Sequence, residues 1–366
     1  MKAIAAELPS FSPSLAESPA TLARIGGLAL AHPERSYTQE QVLERLGLAQ
    51  DEFARRIFGR CGVQRRRLRL DEDFLDGTVQ ARTPEIERML LEEATRAVDQ
   101  LGIDPAEVGV VVTSSLYTLA GPTLAHRLIE RYRMDSATDK YHVVGVGCAS
   151  AVPLVRLAAQ TLAGQPGKKA LVVAAESMSG IISRAREDDE RSKTVGSSIF
   201  GDGCAAAVIE AGRGGELGDL SDGPAVVAAK VHQVPDTLDA VCMQLSPSDS
   251  YLHLIRELPD VATEGLGELA DDFLAANGLD RNGIDRWLLH PGGRRIIESL
   301  QEGLGLSREQ AQSSFDVLAE HGNIGTPAIL YVLERSQREQ PAQPGEHALM
   351  VTVGPGVTVG LMLLRW

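Results

Sequence analysis

The chain has 366 residues, of which 43% are hydrophobic and 23% charged. This composition is typical of soluble globular proteins, and the length suits two packed domains. The formal net charge of −14 argues against a nucleic-acid-binding surface, because such surfaces carry excess positive charge. No apolar run approaches the roughly 20 residues of a membrane span, and the N-terminus lacks the pattern of a signal peptide, so neither membrane anchoring nor secretion is expected.

The cysteines do not form a metal or disulfide pattern. Cys61, Cys148, Cys204 and Cys242 are widely scattered, with no Cys-x-x-Cys pair and no histidine clustered at ligand spacing. We therefore expect no metal site and no disulfide framework, and a reducing cytoplasm is the predicted location.

In the first half, a helical region gives way to alternating strands and helices. The first ~100 residues predict mainly helices with polar faces, including 83–101, where Pro84 fits a first helical turn. Strands are then predicted at 108–113, 142–146 and 169–174, helices at 122–133 and 149–163, and a hairpin-like pair at 198–200 and 204–210 around a Gly-Asp-Gly turn. This alternation is typical of an α/β layered fold.

The second half repeats this logic after a linker predicted at 211–224, which is rich in Gly, Asp and Ser. Helices are predicted at 262–277, 294–304 and 327–336, and strands at 287–289, 348–353 and 357–366, the last two around a Gly-Pro-Gly turn. Both halves end in a strand, a Gly-x-Gly turn and a strand, which is a weak internal repeat. We divide the chain into halves at 1–212 and 213–366.

Cys148 is the cysteine whose setting favours chemistry. It lies in the run Gly-Cys-Ala-Ser (147–150), between a predicted strand and a predicted helix. A helix N-terminus presents free N–H groups and a partial positive charge, which favour a thiolate. A lone cysteine is nevertheless more often a buried core residue, so a nucleophilic role for Cys148 requires partners elsewhere.

His290 and Asn323 have settings that suit such partners. His290 ends the predicted strand 287–289, and the Pro-Gly-Gly turn after it would fix the imidazole; ligands bind at such strand ends in open α/β sheets. Asn323 precedes a predicted helix, where asparagine is also an ordinary turn or cap residue. A thiolate nucleophile needs a base and hydrogen-bond donors for an oxyanion, which these two residues are able to supply.

Several blocks resemble the signatures of the type III, chalcone-synthase-like polyketide synthases. They are Gly-Cys at 147–148, the block 287–293 with His-Pro-Gly-Gly, Gly-Asn at 322–323, Phe-Gly-Asp-Gly at 200–203 and Gly-Pro-Gly at 354–356. Their order and spacing agree from about residue 39 onward. The related initiating ketosynthases, which depend on acyl carrier protein, usually carry His-Gln-Ala-Asn at the histidine, and that motif is absent here.

The resemblance implies the thiolase fold, with two related halves in a five-layered αβαβα arrangement, working as a homodimer. It implies that an acyl-CoA starter acylates Cys148, that His290 shares the thiol proton as a thiolate–imidazolium pair, and that malonyl-CoA loses CO2 beside His290 and Asn323. Two hydrogen-bond donors would stabilise the resulting enolate. CoA thioesters are substrates, and no cofactor is expected.

The resemblance also implies substrate-binding positions. Arg56 and Arg60 fall where the family binds the CoA phosphates, which guanidinium groups suit. Phe200 matches one of two gatekeeper phenylalanines, and the second is replaced by Leu252. Met243 and Gly325 differ from the plant-type residues at positions that line the chalcone-forming pocket. A flavonoid-like product is therefore not implied.

Two other functions remain open from the sequence. One is another thiolase-superfamily condensing enzyme, such as a 3-oxoacyl synthase III-like protein. The other is a non-catalytic homologue acting as a scaffold, against which the intact set Cys148, His290 and Asn323 argues. A papain-like hydrolase uses the same residue types, but the flanking sequence of that family is missing around the cysteine.

Overall fold

The computed structural model describes residues 23–117, 121–185, 191–211, 223–245 and 250–366. Its strands are β1 (Ala23–Ala31), β2 (Ser36–Thr38), β3 (Arg65–Arg67), β4 (Val108–Ser114), β5 (Asp139–Val143), β6 (Lys169–Ser177), β7 (Asp202–Ala211), β8 (Ala225–Gln233), β9 (Val241–Leu245), β10 (Ser250–Leu254), β11 (Arg286–Leu289), β12 (His347–Gly354) and β13 (Thr358–Arg365). Its α-helices are α1 (Gln39–Arg45), α2 (Glu52–Phe58), α3 (Glu72–Asp76), α4 (Val79–Leu101), α5 (Leu124–Tyr132), α6 (Ala151–Leu162), α7 (Arg191–Ile199), α8 (Leu258–Val261), α9 (Leu266–Ala275), α10 (Arg294–Leu304), α11 (Gln312–His321) and α12 (Ala328–Glu339).

Nine strands of the described residues are hydrogen-bonded in the order β11-β12-β13-β8-β1-β7-β6-β4-β5. In the first half, β4 runs parallel to β5 and β6, while β7 is antiparallel to β6 and β1. In the second half, β11 is parallel to β12, and β13 is antiparallel to β12 and β8. The two groups pair where Ala23 and Arg24 of β1 lie opposite Val226 and Ala225 of β8. They therefore form a five-stranded and a four-stranded sheet joined at one corner.

Three hydrophobic cores separate the layers of the protein. Helix α6 contacts strands β4, β6 and β7 of one sheet and β8 and β13 of the other, and α12 packs on β1, β7 and β11. Along β6, Leu171 and Val173 face the outer core that α4 covers, whereas Ala170 and Val172 face the core with α6 and α12. Such alternation follows from the two faces of a strand. A third core lies between β11–β13 and helices α9 and α10, so the expected five-layered αβαβα arrangement is confirmed.

Most of the predicted strands and helices of the α/β layers are confirmed, including β4, β6, α5, α10 and β12. The prediction for Pro84 is wrong, because α4 begins at Val79 and Pro84 lies in its interior. The true N-cap is Thr78, whose side chain accepts a hydrogen bond from the backbone N–H of Ala81 at 3.2 Å. The helix thus starts one turn earlier and tolerates a proline that removes one internal N–H donor.

The predictions missed or misplaced other elements. Strand β1 lies within the region predicted to be mainly helical, and β5 begins three residues before the predicted strand 142–146. Residues 198–199 end helix α7, and the backbone N–H of Phe200 still donates to the Gly196 carbonyl at 3.1 Å, so no hairpin forms there. Most of the predicted linker, 212–222, lies outside the described residues. Among the helices of the described ranges, none is long and apolar enough to cross a bilayer.

Candidate active site

Cys148 lies in a single 3-10 turn, Gly147–Ala149, between β5 and α6. Gly147 has φ +53°, and a Cβ atom there would lie 2.6 Å from Cδ of Pro355. A Cβ on Gly354 would likewise lie 2.5 Å from the Val146 carbonyl oxygen. The nucleophile turn, which we define as 146–149, therefore rests directly on the Gly-Pro-Gly loop of the second half, and glycine is required at the contact.

The structure brings Asn323 next to Cys148. The thiol lies 3.9 Å from Oδ1 of Asn323 and 4.0 Å from its Nδ2. The backbone N–H of Gly325 donates to Oδ1 at 2.9 Å, while Nδ2 donates to the Gly292 carbonyl at 3.4 Å. Because Oδ1 already accepts this N–H, the amide orientation is fixed and its NH2 group is presented between Gly292 and Cys148.

His290 lies at the C-terminal end of β11, as the sequence predicts, and is only 1% exposed. Its backbone N–H donates to the Val351 carbonyl at 2.9 Å, and its own carbonyl accepts from Gly292 at the same distance. The imidazole lies over Gly292, where a Cβ would be 3.2 Å from Cδ2 of the ring. Both ring nitrogens lack a hydrogen-bond partner among the described residues, so the buried imidazole is available to a ligand.

The expected thiolate at Cys148 is not favoured in this state. Burial, with the nearby Glu176 carboxylate as the second cause, raises the pKa of the Cys148 thiol to about 12. Burial also lowers the pKa of His290 to about 3. Helix α6 begins only at Ala151, so Cys148 does not stand at its first turn, and desolvation outweighs the dipole of one short 3-10 turn. A neutral thiol and a neutral imidazole are the favoured forms.

Glu176 and Thr326 were not singled out from the sequence. Thr326 Oγ1 lies 2.9 Å from the Gly147 carbonyl oxygen and 3.2 Å from Oε1 of Glu176. Burial raises the pKa of Glu176 to about 7. The available signal was an acidic residue directly after the apolar run 170–175 of β6, which is rare without a specific reason.

The predicted gate residues Phe200 and Leu252 and the predicted pocket residue Met243 lie in one hydrophobic cluster. Phe200 is 1% exposed and forms an isolated parallel β-bridge with Asn323. Met243 and Leu252 are partly buried against the core that contains Phe200. Gly325, two residues after Asn323, has φ +67° and packs against Met178 and Glu176.

Arg56 and Arg60 are exposed, on α2 and just after it. The next residue, Cys61, lies close to the Pro-Gly-Gly turn that follows His290. Its carbonyl accepts a hydrogen bond from the backbone N–H of Arg294 at 3.1 Å. The arginines that follow in the segment 60–67 do not all face solvent. Arg66 is fully buried and donates to the Phe200 carbonyl at 3.1 Å, and burial lowers its pKa to about 10. Within the described residues, no group of three or more potential metal ligands comes together.

Two family models match the chain over most of its length. Residues 31–216 match a model described as FAE1/type III polyketide synthase-like protein, and residues 225–366 match the C-terminal domain of chalcone and stilbene synthases. The chain is also similar to PKS-I from the brown alga Ectocarpus siliculosus, with a TM-score of 0.84 and 27% identity over 95% of this chain and 99% of that one.

Curated bacterial relatives match over nearly the whole chain. The α-pyrone synthesis polyketide synthase-like protein Pks18 of Mycobacterium tuberculosis is 30% identical over 94% of this chain and 91% of its own length. The 3,5-dihydroxyphenylacetyl-CoA synthase of Streptomyces toyocaensis is 29% identical, covering 94% and 90%. The 1,3,6,8-tetrahydroxynaphthalene synthase of Streptomyces peucetius subsp. caesius is 29% identical, covering 93% of both chains.

Proposed function

The chain belongs to the type III polyketide synthase family, and from this premise we propose that it loads an acyl-CoA starter on Cys148 and extends it with malonyl-CoA. The observation that carries the proposal is the meeting of the Cys148 thiol, the Asn323 amide and the Gly292 turn after His290. These groups come from both halves of the chain. We place the division between the halves at 212 and 213, a few residues before the interval that separates the two family models, which end at 216 and begin at 225.

In the first step, the neutral His290 imidazole accepts the Cys148 thiol proton as the sulfur attacks the starter thioester. The two charges that result stabilise each other, which offsets the cost of forming each in a buried site. CoA leaves with a proton, and the starter remains as a thioester of Cys148. Asn323 keeps its amide beside the reacting carbonyl.

In the second step, malonyl-CoA binds beside the acylated cysteine and loses CO2. The electron pair left on carbon forms a thioester enolate, whose oxygen accepts hydrogen bonds from the His290 and Asn323 side chains. The enolate carbon then attacks the acyl carbonyl on Cys148, releasing the thiolate for another round. The reaction as proposed needs no metal or organic cofactor, because the thioester already acidifies the carbon and CO2 is the leaving group.

The proposal extends to binding and assembly. Arg56 and Arg60 bind the CoA phosphates, which is supported by their exposure beside the His290 turn. A homodimer is supported by the outer position of β5 in the sheet and by the exposed apolar side chains of Tyr141 and Val144 next to its edge, since unpaired strand edges template pairing. The proposed location is a reducing cytoplasm, which is supported by four cysteines that are not disulfide-bonded to one another.

The experiment compares malonyl-CoA with malonyl-carrier protein as extender, with octanoyl-CoA as starter, and follows released CoA and acylated products. We expect extension with malonyl-CoA alone. A requirement for malonyl-carrier protein would instead assign a 3-oxoacyl synthase III-like activity. Failure to release CoA from malonyl-CoA or octanoyl-CoA would favour a non-catalytic scaffold.

A further inference from the structure

Glu176 lies beside the nucleophile turn, and the proposed reaction does not use it. Glu176 is 4% exposed, and its Oε2 accepts a hydrogen bond from the backbone N–H of Leu116 at 2.8 Å. Its other oxygen, Oε1, lies 3.2 Å from Thr326 Oγ1, which lies 2.9 Å from the Gly147 carbonyl oxygen. A continuous chain of hydrogen bonds therefore joins a buried carboxyl to the peptide group directly before Cys148.

The number of protons in this chain determines its direction. The Thr326 hydroxyl has one proton, and the Gly147 carbonyl can only accept, so the shorter contact uses that proton. The contact between Thr326 Oγ1 and Glu176 then requires a proton on Oε1, because two acceptors cannot share a bond. If Glu176 is ionised, the hydroxyl turns towards the carboxylate and the Gly147 carbonyl loses this donor.

The Gly147 peptide is a sensitive place for such a change. Gly147 has left-handed backbone geometry with φ +53° and lies in direct contact with Pro355. Its carbonyl also accepts the backbone N–H of Ser150 at 2.9 Å, which closes the turn that carries Cys148. Losing the Thr326 bond therefore loosens one of two hydrogen bonds that hold this carbonyl in place.

We propose that Glu176 is a positioning residue for Cys148, whose protonated carboxyl acts through Thr326 to hold the nucleophile turn and whose ionised form disfavours the thiolate. The inference rests on the proposed nucleophilic role of Cys148. The Thr326 hydroxyl carries the positional part of the effect, and the charge on Glu176 carries the electrostatic part.

Near neutral pH, the carboxyl of Glu176 changes its charge while the titratable side chains around it stay neutral. The titratable side chains that face it are Cys148 on the nucleophile turn, Cys204 on β7 and Tyr117 after β4. Burial raises the pKa of each of these three groups, so all remain neutral near neutral pH. The pKa of Glu176 itself is raised to about 7 by burial, so its charge changes in the range where the enzyme would work.

The test measures the rate at which iodoacetamide alkylates Cys148 between about pH 6 and about pH 10, a range within which the Glu176 carboxyl ionises. Glu176→Gln preserves shape and mimics the protonated carboxyl, since its NH2 group can donate to Thr326 while its oxygen accepts from Leu116. We expect the two proteins to react at similar rates near pH 6, where Glu176 is protonated, and Glu176→Gln to react about tenfold faster well above pH 7, which corresponds to a Cys148 pKa lower by about one unit. Superimposable profiles for wild type and Glu176→Gln would overturn the proposal.

Thr326 supplies the second arm. Thr326→Val removes both hydrogen bonds and should slow loading of octanoyl-CoA at saturation by about tenfold, the effect of one hydrogen bond of about 1.4 kcal/mol, with KM unchanged. Thr326→Ser restores the hydroxyl and should recover most of that rate. Equal loading rates in wild type and the valine variant would sink the positional role, and if that variant does not fold, the Glu176→Gln profile decides alone.

Alkylation needs no condensation, so the two proposals fail separately. A shifted Glu176→Gln profile in a protein that does not extend acyl chains would overturn the proposed function and leave the positioning role standing. Extension by wild type with unshifted profiles would do the reverse. Mass spectrometry of the alkylated peptide separates Cys148 from Cys61 and Cys242, which are also half-buried cysteines outside any disulfide.

Discussion

Leu252 lies directly opposite Met243 in the antiparallel ladder that β9 and β10 form. Directly opposed residues share one face of a ladder and stand close enough to pack on each other. Both also pack against the core that contains Phe200. The unbranched Met243 is therefore the neighbour placed to fill space that a smaller residue at 252 leaves open.

This relationship predicts the choice of starter. We expect wild type to prefer aliphatic acyl-CoA starters, and Leu252→Phe to shift preference towards aromatic ones by roughly 2- to 10-fold, as stacking adds about 0.5–1.5 kcal/mol beyond area burial. The measurement is kcat/KM over a panel of acyl-CoA esters. Met243→Leu serves as the matched change on the opposite strand. A wild-type preference for aromatic esters, or an unchanged profile in Leu252→Phe, would contradict the prediction.

Cys148→Ala should abolish chain extension, because the growing chain loses its covalent anchor. Malonyl-CoA decarboxylation should survive in part, since the His290 imidazole and the Asn323 amide remain. Product analysis and CO2 release measure the two steps separately. Cys61→Ala is the control, since Cys61 is also a half-buried free thiol, and it should retain extension. Full-length product from Cys148→Ala at the wild-type rate would show that the nucleophile is another residue.

Asn323→Ala should reduce decarboxylation by about 10²–10³-fold, the usual effect of losing one oxyanion donor. The reason is that the Nδ2 group facing Cys148 disappears while the backbone of the turn stays bonded to the Ile199 carbonyl through Asn323 N–H at 2.7 Å. CO2 release from malonyl-CoA measures the step. Asn282→Ala, at an exposed asparagine, controls for the substitution itself. Undiminished CO2 release from Asn323→Ala would remove Asn323 from the mechanism.

Gly325→Ala should cost stability and activity. Its Cβ would lie 2.5 Å from Cε of Met178 and 3.1 Å from Cγ of Glu176. Gly102 has a similar φ of +60° with no atom within 4 Å of a Cβ, so Gly102→Ala reports backbone strain alone, about 1–2 kcal/mol. We expect denaturant unfolding to show that Gly325→Ala loses about 1 kcal/mol more unfolding free energy than Gly102→Ala. Only Gly325→Ala should slow chain extension. Equal losses of unfolding free energy in both variants would mean that Met178 and Glu176 move aside from the new methyl group without cost.

The raised pKa of Glu176 predicts how stability depends on pH. The carboxyl has an ordinary pKa of 4.5 and a folded-state pKa of about 7, so the folded state binds the proton more tightly. Its contribution to stability is complete below about pH 4.5 and is lost as pH rises through 7. Glu176→Gln avoids this loss, so its free energy of unfolding should gain on wild type by up to about 3 kcal/mol over that interval.

Urea unfolding of both proteins at several pH values measures this difference. Glu309→Gln is the matched control, because Glu309 is exposed. Comparing variants at each pH removes the opposing effect of His290, whose lowered pKa makes wild type lose stability as pH falls below 6.5. A difference between Glu176→Gln and wild type that stays constant with pH would contradict the prediction.

The sequence predicted the layers best where both faces of a strand are buried. Strands β4, β6 and β12 are continuous apolar runs flanked by helices on both sides, and that pattern is specific. It missed β1, where Gly26 and Gly27 interrupt a run of small residues that lacks β-branched side chains after Ile25. It misread the end of α7 because Ser198, Ile199 and a following aromatic residue are equally acceptable in a short strand.

The site was predictable in its residues and not in its electrostatics. Family motifs singled out Cys148 and Asn323, and the structure brings them within 4.0 Å of each other. The ionisation of Cys148 depends on burial and on Glu176, which lies 28 positions further along the chain and carries no motif. This effect arises where β6, the nucleophile turn and the loop that carries Thr326 come together in the folded chain. No sequence motif records such a meeting.

The contact between Gly147 and Pro355 also fixes when the site can exist during synthesis. A ribosome makes the cysteine well before the Gly-Pro-Gly loop, at about 5–20 residues per second. Until residues 354–356 emerge, the nucleophile turn lacks its contacts with Gly354 and Pro355. The thiol is thus translated well before the loop against which its turn packs in the folded protein.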